Sequence, residues 1–388
     1  MSNRAPIQAP EVLERVRTYS ALAQRGLPAS YMADTAEFSQ TVRGSRTTPD
    51  SSELWREGRN LRYAAIVALG LASLTGSAQQ SILRGSTAAD LVAAARPRAA
   101  VSTDPGAIAL VAWATAEVTG EPDDDLLARL SRRLTDGHPL PTVDTAWMLT
   151  AAVAALQATA GAAPHARDIA RVARNRLLEA QGEQGIFPHA LPAGSLGRFR
   201  AHVGCFADQV YPIQALARLA AYDGDETALA AANRAAERIC ALQGDAGQWW
   251  WHYDARHGSV VEGYPVYSVH QHAMAPMALL DLAQAGGDDH SDSIVRGLEW
   301  LTTHPEVDEE LVSEDESQIW RKVGRREPAK AARKLSAVTT SIKAGWHLPG
   351  IDTLFPANQI DRECRPYELG WLVYAWRPVE DTIEETSR

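Results

Sequence analysis

Ala235 to Tyr253 reads AAERICALQGDAGQWWWHY, a helix of small residues that runs straight into Gln243, Gly247 and Trp249. The spacing Q-x-x-x-G-x-W has an earlier copy, where RLLEAQGEQGIF at 176–187 ends in Gln181, Gly185 and Phe187. A helix-then-turn unit recurring at roughly sixty residues points to an array of helical hairpins, because one such hairpin cannot bury its own apolar face.

Working outward, the chain holds two kinds of helical segment. YAAIVALGLASL near 63, AIALVAWATAEV near 107, TAWMLTAAVAAL near 145, VYPIQALARLAAY near 210, MAPMALLDLAQA near 274 and YELGWLVYAW near 367 are apolar or small nearly all round. Such helices are buried on every side. Between them fall EVLERVRTYSALAQ, TAADLVAAARPRA, DDDLLARLSRRL, ARDIARVARNRLLEA, ALAAANRAAERICAL and HSDSIVRGLEWLTT, each with one apolar stripe and one charged face. Alternation of these two kinds is what two concentric layers require. The expected architecture is an all-α (α/α)6 toroid, one domain over 1–388, with 305–346 an irregular insertion or lid before the last inner helix. No strand-rich region is expected. The acidic triplet Asp123–Asp125 follows Pro122 at a helix start, where carboxylates satisfy the N-terminal dipole.

The 388 residues are 45% hydrophobic and 22% charged, an ordinary globular composition. No apolar run approaches the roughly 18 residues of a membrane span. The start, MSNRAPIQAPEVLERV, carries charges where a secretory leader needs an apolar block, so a cytoplasmic location is expected. A net charge of -10 opposes nucleic acid as a partner. The basic run RKVGRREPAKAARK at 321–334 reads as solvated surface. Cys205, Cys240 and Cys364 are too scattered for a disulfide framework or a clustered zinc site, and neither metal nor other cofactor is expected.

In a hairpin toroid the inner helices run the same way, so the loops leading into them gather at one rim, where a binding pocket belongs. Asp208-Gln-Val-Tyr-Pro212 and His272-Ala-Met-Ala-Pro276 line up as corresponding points of successive repeats, which places Asp208 and His272 near the mouth. Asp144, Asp208, His270, His272 and Glu368 are the candidate acid–base groups. Arg62, Tyr63, Trp147, His202, Trp250, Trp251, His252, Tyr267 and Arg362 are the candidate substrate contacts. A metal held near His202, Cys205 and His270 is a lesser alternative. Trp249 reads as structural, because Phe187 takes its place in the earlier copy.

The two Q-x-x-x-G-x-W/F copies resemble the motif of the squalene–hopene cyclase and prenyltransferase superfamily, where it staples an outer helix to its neighbour. Thr142-Val-Asp-Thr-Ala-Trp147 is similar to the tail of the class II cyclase motif D-x-D-D-T-A. The resemblance covers mainly 140–300 and implies a toroid with Asp144 as the acid. Two acidic positions of that motif are Pro141 and Val143 here, and a pocket with many His and Arg suits a polar or anionic substrate better than a hydrocarbon.

The first expectation is therefore a terpene cyclase-like toroid enzyme doing acid–base chemistry, cyclisation, isomerisation or elimination, on a small molecule in the central pocket. The alternative is a carbohydrate-active hydrolase, lyase or epimerase of the same fold, with a carboxylate pair and a tryptophan platform. A third is a non-catalytic binding or scaffold protein, whose sign would be a mouth plugged by side chains.

Overall fold

The computed structural model describes residues 7, 9–48, 51–160 and 163–386, and the Met1–Pro6 part of the stretch read against a secretory leader lies outside them. Outer helices are α1 Pro10–Gly26, α3 Ala88–Val101, α5 Asp124–Thr135, α7 Pro164–Ala180, α9 Glu226–Ala241 and α11 Ser291–Thr303. Alternating with them are the inner α2 Leu61–Leu71, α4 Pro105–Thr119, α6 Thr142–Ala158, α8 Ala207–Asp223, α10 Ala275–Gln284 and α12 Pro366–Thr386. Each inner helix packs on the next, and α12 closes back on α2, which makes the ring an (α/α)6 toroid. Burial explains the alternation. Every residue from Asp144 to Leu156 of α6 is buried, whereas α5 buries only the stripe Leu126, Leu127, Leu130 and Leu134. Among the described residues no helix is long and apolar enough to cross a membrane.

The repeated glutamines do the same work twice. Gln181 Nε2 donates to Gly185 O at 3.0 Å and to Ala231 O on α9 at 2.8 Å. Gln243 Nε2 donates to Gly247 O at 2.7 Å and to Ser293 O on α11 at 2.9 Å. Each thus ties the end of one outer helix to the next. Gly185 and Gly247 adopt φ of +87° and +94°, and an added Cβ would stand 2.4 Å from Arg234 O and 2.2 Å from Arg296 O, so no side chain fits at either turn. Phe187 and Trp249 then point inward, both fully buried, and their N–H groups donate to Gln209 Oε1 and Gln271 Oε1 at 2.8 and 3.3 Å.

Those last two bonds correct the repeat register read from sequence. Gln209 and Gln271 are the equivalent residues, so Asp208 corresponds to His270 and not to His272. The aligned prolines misled because Pro212 lies three residues beyond Gln209 and Pro276 five beyond Gln271, an offset that falls across the π turn His270–Met274.

A second correction concerns strands, which the helical periodicity hid. Strands decorate the loops, and apart from one pair of seven and eight residues they are two or three residues long, too brief for a period of two to register. Thr41–Thr48 pairs with Ser51–Glu57 and with Glu363–Cys364, and Val203–Cys205 pairs with His252–Asp254, which pairs in turn with Val260–Glu262. Within 305–346, Lys322–Gly324 is the central strand between Val266–Tyr267 and Gln359–Asp361, and the helix Ala331–Ile342 packs over Val260–Glu262.

Candidate active site

At one end of the ring the first turns of the inner helices surround a chamber of about 400 Å³. Arg62 and Tyr63 come from α2, Trp147 from α6, Tyr211 from α8, His270 from the π turn and Tyr367 from α12, while loops add Gln40, Trp251, Tyr267, Arg321 and Arg365. Its walls are aromatic. Trp251 stacks on His270 with centroids 5.8 Å apart at 9° and lies 4.7 Å from Tyr267. Tyr63 meets Tyr367 at 4.9 Å and Trp147 meets Tyr211 at 4.9 Å. Three cations face it as well. Arg62 sits 5.2 Å over Trp147 and Arg321 5.0 Å over Tyr267, while Arg365 donates to Tyr63 Oη at 3.2 Å.

Behind Arg62 lies Asp144, 3% exposed, with Oδ1 3.3 Å from Arg62 Nη1. Asp104, the N-cap of α4, grips the same guanidinium through bonds of 2.7 and 2.5 Å. Burial pushes the Asp144 carboxyl up to about 6, outweighing the pull of Arg62. Close approach is possible because residue 106 is glycine. A Cβ there would stand 2.3 Å from Asp144 Oδ1 and 2.7 Å from the Arg62 guanidinium.

Strand pairing builds the other carboxylate. Leu140–Pro141 pairs with Ala190–Leu191, which brings the His189 carbonyl onto Thr142 N at 3.0 Å and the imidazole beside α8. Asp208 Oδ2 accepts from Cys205 N–H at 2.7 Å and lies 2.8 Å from His189 Nδ1; Oδ1 has no partner among the described residues. The Asp208 carboxylate raises the His189 pKa above the ordinary histidine value. The result is an imidazole oriented by a buried aspartate, with its side chain 42% exposed.

His189 also opens onto a second chamber of about 310 Å³, lined by Arg200, Val203, Cys205, Trp251, His252, Lys330, Arg333 and Lys334, so that Trp251 belongs to both chambers. The ligand atoms of His189, Cys205 and Asp208 lie within 4.8 Å of one another, a spacing that could hold a metal ion. The chemistry around them opposes one: burial and Asp208 hold the Cys205 thiol protonated, and four cationic side chains line the same cavity. Neither His202 nor His270 belongs to that cluster, contrary to the grouping read from sequence.

Of the residues singled out from sequence, Arg62, Tyr63, Trp147, Trp251, Tyr267 and His270 line the central chamber, and Asp144 and Asp208 lie just behind the two chamber walls. Burial and Arg321 press the His270 pKa well below its ordinary value, so this ring is a neutral wall group. The others are corrected. His272 is fully buried, neither ring nitrogen has a partner among the described residues, burial lowers its pKa to about 3, and its carbonyl accepts from Trp376 Nε1. Glu368 accepts from Arg365 N and pairs with Arg321 at 3.2 Å, holding a chamber arginine from behind. His202 is buried against Thr340 Oγ1 at 3.0 Å. Trp250 packs on Tyr264 outside the chamber, and Arg362 pairs with Glu309 at 2.9 Å over Trp320 on a separate groove. His252 lines the second chamber and not the first.

Sequence reasoning missed His189, Tyr211, Arg321, Arg365 and Tyr367. Arg321 opens the basic run read as solvated surface, yet it is 8% exposed and faces the chamber. His189 carried no signal, since only a non-local strand pair brings it to Asp208.

No protein-family model and no curated protein matches the chain. Solved structures do. An unsaturated glucuronyl hydrolase described as specific for heparin aligns with 97% of this chain over 99% of its own, with TM-score 0.59 and 13% identity. An unsaturated glucuronyl hydrolase from Bacillus sp. GL1, described as responsible for the degradation of glycosaminoglycan, aligns with 94% over 96%, with TM-score 0.56 and 13% identity. A possible GH105 member from Salmonella enterica aligns with 97% over 97%, with TM-score 0.59 and 8% identity. At such identities the likeness establishes the toroid. The cyclase resemblance gains nothing from these comparisons beyond that fold.

Proposed function

We propose that this chain is a carbohydrate-active enzyme in which Asp144 is the acid and the central chamber holds the sugar ring of an acidic saccharide. The observation that carries the reading is a carboxyl kept protonated up to about 6 by burial, beside an aromatic chamber lined by Arg62, Arg321 and Arg365. Aromatic faces suit the apolar face of a sugar ring, and guanidinium groups suit a sugar carboxylate. A hydrocarbon substrate gains nothing from three arginines. An open chamber of about 400 Å³ also argues against a scaffold with a plugged mouth.

The substrate class that fits this lining, and that the similar glucuronyl hydrolases carry in their descriptions, is an unsaturated glucuronyl saccharide. The Asp144 acid donates its proton either to the leaving oxygen or to the enol-ether carbon, and the positive charge spreads onto the ring oxygen. Water then adds to the carbon bonded to that ring oxygen, and its proton returns to the Asp144 carboxylate. One water is consumed and Asp144 ends protonated, ready for the next cycle. The domain reading is part of the same proposal: 1–388 act as one unit, with 305–346 covering the mouth through Arg321.

The test is direct. Purified protein is mixed with unsaturated glucuronyl disaccharides, and the ultraviolet absorbance of the conjugated acid is followed, with isoprenoid diphosphates as the parallel arm. Decay of the absorbance supports the reading. Cyclised isoprenoid product, with the saccharide untouched, refutes it.

A further inference from the structure

We propose that the second chamber is a subsite for a tetrahedral oxyanion, a phosphate or sulfate group, that joins the central chamber at Trp251. It stands apart from the acid and does not need the central chamber to act on a sugar. Arg200, Lys330, Arg333 and Lys334 line about 310 Å³, and none of the four enters an ion pair among the described residues. His252 lines the same cavity, is 7% exposed, and has a ring nitrogen, Nδ1, with no partner among the described residues. Arg333 Nε is likewise buried and unpartnered. The Arg333 Nε–H donor is therefore held out of water with nothing among the described residues to accept from it, beside an imidazole nitrogen whose tautomer can turn to donate, and a bound acceptor would repair both.

The helix Ala331–Ile342 sharpens the point. Lys330 is its N-cap, and Arg333 and Lys334 stand in its first turn, at the end where the dipole repels cations. The Glu327 carboxylate is taken by the Ala332 N–H. Burial lowers the His252 pKa, and Arg200, Arg333 and His189 lower it further, so their charge reaches the buried ring uncompensated. A carboxylate satisfies one guanidinium fork; a dianionic group with several oxygens meets Arg333 and the lysine rim at once, with His252 beside them. Because Trp251 is shared, the group would sit one wall away from a ring held in the central chamber.

The probes are inorganic phosphate and inorganic sulfate, titrated separately into the full chain at low ionic strength, with binding read by calorimetry and tryptophan fluorescence. Saturable binding that weakens as salt is added is expected. The double variant Arg333→Ala, Lys334→Ala, whose side chains make no hydrogen bond or ion pair among the described residues, should bind roughly tenfold more weakly or worse with an unchanged circular dichroism spectrum. Arg362→Ala, on the separate groove, should bind as the parent does. Preference for phosphate or for sulfate identifies the source of the group, and either supports the subsite. Absence of saturable binding, or equal affinity in parent and double variant, overturns it. These titrations need no turnover, so a failed hydrolase assay and a failed subsite are told apart.

Discussion

Replacing Asp144 by asparagine separates a catalytic acid from a buried structural carboxyl, and the structure sets the size of both effects. Burial raises this carboxyl from 3.8 to about 6, a shift of about 2 units, or about 3 kcal/mol. Because the folded pKa lies above the unfolded one, the native state holds a proton that the unfolded chain has released between pH 4 and 6. Stability from this group is therefore fully present below about pH 4 and is lost as pH rises through about 6. Asparagine keeps the shape and never ionises, while Asp104 retains its two bonds to Arg62. Urea unfolding of parent and Asp144→Asn from pH 4 to 8 should thus give a difference that favours the variant by up to about 3 kcal/mol at the high end. In the saccharide assay, kcat/KM of the parent should fall as pH passes about 6, and the variant should lose about 10²- to 10⁴-fold. A pH-independent stability difference would show that the carboxyl is not perturbed. Full turnover by the variant would falsify its role as the acid.

Gly106→Ala should press on both Asp144 and Arg62, costing about 1–3 kcal/mol in urea unfolding and lowering kcat more than it raises KM, since its Cβ would lie 2.3 Å from Asp144 Oδ1. Gln243→Ala removes the bonds to Gly247 O and Ser293 O and should cost about 1–3 kcal/mol, read as a lower urea midpoint. Trp251→Ala should raise KM at least tenfold through loss of a wall common to both chambers, whereas Trp250→Ala, packed on Tyr264 outside them, should leave KM unchanged within about twofold.

Much of the scaffold was legible because it is written locally. The contrast between α6, buried all round, and α5, buried along one stripe, shows directly in the residues, and each Gln–Gly–aromatic unit spans one turn. Asp144, Arg62 and Tyr63 were legible for the same reason, since they open inner helices. His272 was misplaced because sequence alignment on Pro212 and Pro276 cannot register a π turn. Arg362 and His202 were misjudged because a polar residue in a rim loop faces the cavity or turns away according to partners, Glu309 and Thr340, that lie far along the chain.

The amino-acid order alone determined that inner and outer helices alternate, that glutamine staples link successive hairpins, and that one rim gathers the polar loops. Tertiary structure alone decided that His189 meets Asp208, that Arg321 leaves the surface for the chamber, and that Lys330, Arg333 and Lys334 surround a cavity instead of water. The physical reason is range. Burial periodicity averages over a single helix and survives in the sequence, but a hydrogen bond or a charged cavity depends on distances between segments that only the closed ring fixes.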